Sequence, residues 1–134
     1  MIDKIKDIIE MQNQRTVIDE LNNDNEPVEN AYKAFEVSRG GKPEMMISIC
    51  YKTTKTQLLY YFDIRDILIE SHTLITIIRP HEVISIKGRN LNSMTPYFKN
   101  NHIHTITEFN SKIYNKIPSD DKAFIGEITI ESIK

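Results

Sequence analysis

The sequence predicts an α+β fold: an N-terminal amphipathic helix, an antiparallel meander of five to seven strands, and a short helix before the last strands. Three observations carry this. The 134 residues include 23 isoleucines, whose branched Cβ suits a pleated, half-buried surface. Apolar residues recur at spacings of three and four near the N-terminus, the period of a helix with one buried stripe. From about Met45 to Leu91 they recur mainly at spacings of two, the period of a strand. A curled sheet or small open barrel would bury such a meander.

The helix is expected within residues 1–24. Ile2, Ile5, Ile8, Ile9, Met11, Ile18 and Leu21 form its stripe, interrupted from Gln12 to Thr16. Such a stripe either packs on its own domain or meets a helix of another chain. Asn22 to Asn30, with three acids and Pro27, reads as a linker or exposed loop. Residues 31–134 then form a single domain, of a length that buries one core.

A first strand is expected from Ala31 to Val37, followed by a hairpin turn over Ser38–Pro43, where Gly40 and Gly41 supply positive φ angles. Met45, Ile47, Ile49 and Tyr51 share one face of the next strand, with Met46, Ser48 and Cys50 on the other. After a polar turn at Thr53–Thr56, Leu58, Tyr60, Phe62 and Ile64 alternate with Gln57, Leu59, Tyr61 and Asp63. Asp63 to Asp66 breaks the pattern, through a bulge or one helical turn. Thr73–Ile78 and Val83–Lys87 flank Arg79-Pro80-His81-Glu82, a tight turn in which proline fixes the first corner. Apolar residues on both faces of Leu74–Ile78 predict a central strand.

Gly88 is placed for a bulge or sharp exit. Ser93 or Thr95 then caps a short helix with Pro96 in its first turn. Leu91, Met94, Tyr97 and Phe98 would face the sheet. Ile103–Phe109 and Gly126–Ile133 complete the strands, and Asn110–Lys122 is long enough to hold a turn of helix.

Composition bounds the function. The one cysteine, Cys50, excludes an internal disulfide and any zinc site of paired cysteines, and it fits a reducing, cytoplasmic setting. No signal peptide is visible, and no apolar run approaches the ~18 residues of a membrane span. No serine elbow, Cys-His set or zinc-hydrolase helix occurs, so neither catalytic residue nor cofactor is expected. Asp63 and Asp66 around Arg65 form a close acid pair, read as a surface strand stop. Gly40-Gly41-Lys42 lacks the spacing of a phosphate loop. His102, His104 and Glu108 fall on one side of a strand, a spacing that a metal ion can share, although solvated side chains account for it better.

Charge is uneven. Residues 1–30 hold eight acids and three bases, whereas residues 79–104 hold Arg79, Lys87, Arg89 and Lys99 against Glu82 alone. Those four cations are the candidate contacts for an anionic ligand or partner. Tyr97 or Phe98 would stack bases if exposed. A net charge of −2 weighs against nucleic acid. The leading expectation is therefore a non-catalytic protein-interaction or accessory module of a bacterial cytoplasmic system, with a protein partner or self-association. A small nucleic-acid or anion binder is second, and a metal-dependent enzyme third.

Overall fold

A computed structural model describes residues 31–133. The helix expected within residues 1–24 lies outside them. The described residues are mostly β, which corrects the α+β class: two four-stranded sheets replace the single meander, and helix is limited to one short segment.

The first sheet contains β1 (Phe35–Val37), β2 (Met46–Cys50), β3 (Thr56–Tyr60) and β7 (Ile103–Thr107), in the order β1-β7-β2-β3. The second contains β4 (Asp66–Ser71), β5 (Leu74–Ile78), β6 (Glu82–Arg89) and β8 (Phe124–Ser132), in the order β4-β5-β6-β8. The chain changes sheets between β3 and β4, where a 3-10 turn at Tyr61–Asp63 interrupts the alternation. The sequence break at Asp63 is thus a sheet boundary rather than a bend within one meander.

The segment Ser38–Pro43 does turn, with φ of +69° at Gly40 and +71° at Gly41. It does not close a hairpin. β7 is inserted between the two arms, antiparallel to β1 and parallel to β2. Ser38 N–H donates to His102 O at 2.7 Å and Glu44 N–H to Asn101 O at 2.7 Å, so both arms of the loop bond the residues entering β7.

Isoleucine register builds the second sheet's inner face. Ile67, Ile77, Ile84 and Ile130 lie opposite one another across its four strands, and Ile69, Ile75, Ile86 and Ile128 form the next row. These rows join Ile47, Ile49, Leu59, Ile103 and Ile106 of the first sheet in one core. Each such side chain contributes about 1.5–3 kcal/mol when fully buried.

β6 and β8 slip register between Lys87 and Gly88. A Cβ at Gly88 would lie 1.8 Å from the Phe124 carbonyl oxygen, so only glycine permits the bulge there. A 3-10 turn at Leu91–Met94 leads into α1 (Thr95–Lys99), with Pro96 in its first turn. Leu91, Met94 and Phe98 are buried, but Tyr97 is 38% exposed. Two adjacent residues cannot both face the core from one short helix, and Phe98 takes that position. No side chain caps α1, and the Ser93 hydroxyl instead donates to Asn90 O. Asn110–Tyr114 forms one hydrogen-bonded turn, as the length of that segment suggests.

Candidate functional site

Among the described residues the most buried charged or polar residue is Glu108, 4% exposed at the end of β7. One carboxylate oxygen accepts from the Lys52 amide at 2.8 Å and the other from the Ile128 amide at 3.0 Å. It ties the β2–β3 turn to β8, and the Lys52 ammonium sits 3.8 Å away. This position removes Glu108 from any shared site with His102 and His104. Among the described residues no group of three or more potential metal ligands converges.

A second polar chain joins the sheets at another point. The Tyr51 phenol donates to Gln57 Oε1 at 2.7 Å, and Gln57 Nε2 donates to Glu82 Oε2 at 2.8 Å. Arg79 bonds Glu82 and reaches Asp63 at 2.9 Å. Burial, then the carboxylates of Glu82 and Glu108, push the Tyr51 phenol up to about 12. Burial likewise raises the phenols of Tyr32 and Tyr61, which are bonded to backbone at Thr107 and Ile103. These groups hold elements together through hydrogen bonds made inside the fold, although Arg79 Nε is buried without a partner among the described residues.

The four cations of the 79–99 stretch are dispersed. Arg79 is engaged by Asp63 and Glu82 at the start of β6. Arg89, at the other end of that eight-residue strand, donates to Pro118 O at 2.7 Å and lies over the Phe124 ring at 4.9 Å. Seven steps of strand separate the two ends of β6 by about 23 Å. Lys87 is exposed on β6 opposite Glu127, and Lys99 is exposed at the end of α1. The two ends of β6 thus keep Arg79 and Arg89 apart, and the four do not meet at one point. Asp66 begins β4, whereas Asp63 ends the 3-10 turn and pairs with Arg79 rather than with Arg65.

The surface that sequence alternation left undecided is the outer face of β3. Leu59 is fully buried, so Leu58 and Tyr60 point outward, at 56% and 44% exposure, and Phe62 beyond them is 79% exposed. The Tyr60 and Phe62 rings stack with centroids 4.9 Å apart. Met46, opposite Tyr60 on β2, extends the apolar area.

β3 is also an edge strand, bonded only to β2 among the described residues. Tyr51 N–H donates to Lys55 O and Tyr61 N–H to Met45 O. With the antiparallel register of β2 and β3, this alternation aims the amides and carbonyls of Thr56, Leu58 and Tyr60 at the open edge. An exposed, apolar edge with unpaired backbone groups is a template for another strand. A run of alternating apolar residues on both faces was the available signal, since a strand buried on one side only has one apolar set to spare.

No helix among the described residues is long and apolar enough to cross a membrane. Protein-family models, curated proteins and solved structures all give no match to this chain, so the functional reading rests on these surfaces.

Proposed function

We propose that the protein is a non-catalytic interaction module of a cytoplasmic system, and that its contact surface is the open edge and outer face of β3. The observation that carries this is the coincidence of unpaired backbone groups with exposed Leu58, Tyr60 and Phe62 on one edge. Strand addition supplies main-chain hydrogen bonds, and the alternate side chains supply specificity.

A second copy of the chain is the simplest occupant. Two β3 edges related by a two-fold axis pair antiparallel, and the same patch then serves both partners. The backbone pairing alone buries little of the roughly 1,200 Å² that a specific interface needs. The stacked rings and Met46 provide the additional apolar area.

Sedimentation across a concentration series tests this directly. The full chain is expected to form a dimer, and Leu58→Lys combined with Tyr60→Lys is expected to be a monomer with unchanged circular dichroism. A wild-type chain that stays monomeric at its highest attainable concentration would remove self-pairing as the mode of contact.

A further inference from the structure

We infer that the opposite edge of the first sheet is a binding groove for single-stranded nucleic acid. Among the described residues β1 is that edge, and the groove beside it has a volume of about 540 Å³, lined by Lys33, Phe35, Glu36, Val37, Arg39, Tyr97 and His104. This volume lies within the range of ligand clefts.

The groove has the two components that strand binding needs: rings on which bases stack, and cations that follow the backbone. Phe35 and Tyr97 stand with ring centroids 5.8 Å apart and planes tilted by 45°. They do not close on each other as a parallel stack, and Tyr97 keeps 38% of its surface exposed. Lys33 precedes Phe35 by two residues, and Arg39 follows Val37 by two. Cations therefore flank the apolar stretch at both ends instead of converging on one point, which suits successive phosphates better than a single one. Both are exposed, and neither makes an ion pair among the described residues. This contrasts with Arg79 and Arg89, whose guanidinium groups are engaged within the fold. Glu36 is the groove's one acid.

Net charge supports the assignment. The chain's −2 conceals the −5 of residues 1–30, and residues 31–134 hold fourteen bases and eleven acids, a net of +3. The overall acidity that argued against nucleic acid therefore belongs to another part of the chain. This groove and the β3 edge lie at opposite margins of the first sheet, so failure at one leaves the other standing.

Fluorescence anisotropy of the full chain with a labelled oligo-uridylate strand, at low and at physiological salt, provides the test. Binding that weakens steeply with salt is expected. Lys33→Ala with Arg39→Ala should weaken it at least tenfold. Tyr97→Ala should weaken it by about fivefold or more, and Tyr97→Phe should restore it, because the ring and not the hydroxyl does the stacking. Uridine monophosphate and a base-paired duplex should each compete much less well than the unlabelled strand.

Absence of binding at low salt would overturn the inference. So would binding indifferent to both the charge and the ring substitutions, or equal competition by duplex or by heparin, which carries charge without bases. Circular dichroism of each variant separates loss of binding from loss of fold.

Discussion

The two sheets contribute matching inner faces to one core, and their edge strands differ in character. Behind its two isoleucine rows, the second sheet aligns exposed Leu68 and buried Thr76 with Ser85 and Thr129, and sets Lys87 opposite Glu127. Thr76 donates to the Glu70 carboxylate on β4. Both of its edges carry exposed acids, Asp66 and Glu70 on β4 and Glu127 and Glu131 on β8. Charges at edges discourage strand addition. The first sheet has no comparable protection at β3, where Leu58, Tyr60 and Phe62 are exposed. Under the proposed function, the sheet with the apolar edge is the one that meets partners, and the sheet whose edges are both charged is the scaffold.

If the second sheet is the scaffold, its tightest point should be the most sensitive in the molecule. At Gly88 a methyl group would meet the Phe124 backbone, with the carbonyl oxygen 1.8 Å and the carbonyl carbon 2.8 Å from the new Cβ. Backbone atoms cannot rotate aside as a side chain does, so β6 and β8 must separate at the bulge. Gly88→Ala is expected to cost about 3 kcal/mol or more, read as a fall in the urea midpoint or as failure to fold. A loss under about 1 kcal/mol would show that the β6–β8 bulge is plastic and that the scaffold lies elsewhere.

The joint between the sheets should rank next. Removing the Glu108 carboxylate strands the Lys52 and Ile128 amides, which it accepts at 2.8 and 3.0 Å. Glu108→Ala is expected to destabilise by about 2–3 kcal/mol, the cost of buried donors left unpaired. Glu108→Gln, which keeps one carbonyl acceptor, should recover part of that loss. Equal losses in the two variants would assign the effect to the Lys52 ion pair rather than to the amides. Lys52 is 52% exposed, and an exposed pair contributes little.

Much of this architecture was legible locally. The alternation of Met45–Tyr51, the turn at Arg79–Glu82, the central position of Leu74–Ile78, the glycine turn and the bulge at Gly88 all follow from residues that are neighbours in sequence. The division into two sheets was not. It depends on β7, more than fifty residues after β2, entering between β1 and β2 as a parallel neighbour. Nothing in the period of Ser38–Cys50 distinguishes a closed hairpin from one opened to admit a third strand. The candidate surfaces were legible in the same uneven way. The basic stretch 79–104 showed charge but not engagement, and Arg79 and Arg89 are taken up by Asp63, Glu82 and Pro118. Leu58 and Leu59 are equally apolar neighbours, and only the pairing with β2 decides which is buried. Tyr97 could be named as a stacking residue if exposed, and the geometry of α1 exposes it.

The smallest expected effect is read from the phenols. All six tyrosines lie outside the four strands of the second sheet, and burial raises the phenols of Tyr32, Tyr51 and Tyr61. Tyr51 titrates near 12 in the folded protein against 10.0 for a free phenol. Between those values the unfolded chain has released a proton that the folded chain retains. The stability this phenol contributes is thus complete below pH 10 and is lost as pH rises towards 12. Tyr51→Phe should cost about 1 kcal/mol at neutral pH through its bond to Gln57. It should also flatten the alkaline decline of the wild type. The measurement is tyrosinate absorbance followed alongside circular dichroism through an alkaline titration, with amide exchange to locate the loss. The first sheet is expected to open while the amides of β5 and β6 remain protected. Simultaneous exchange in both sheets would mean that the shared core couples them too tightly for either to open alone.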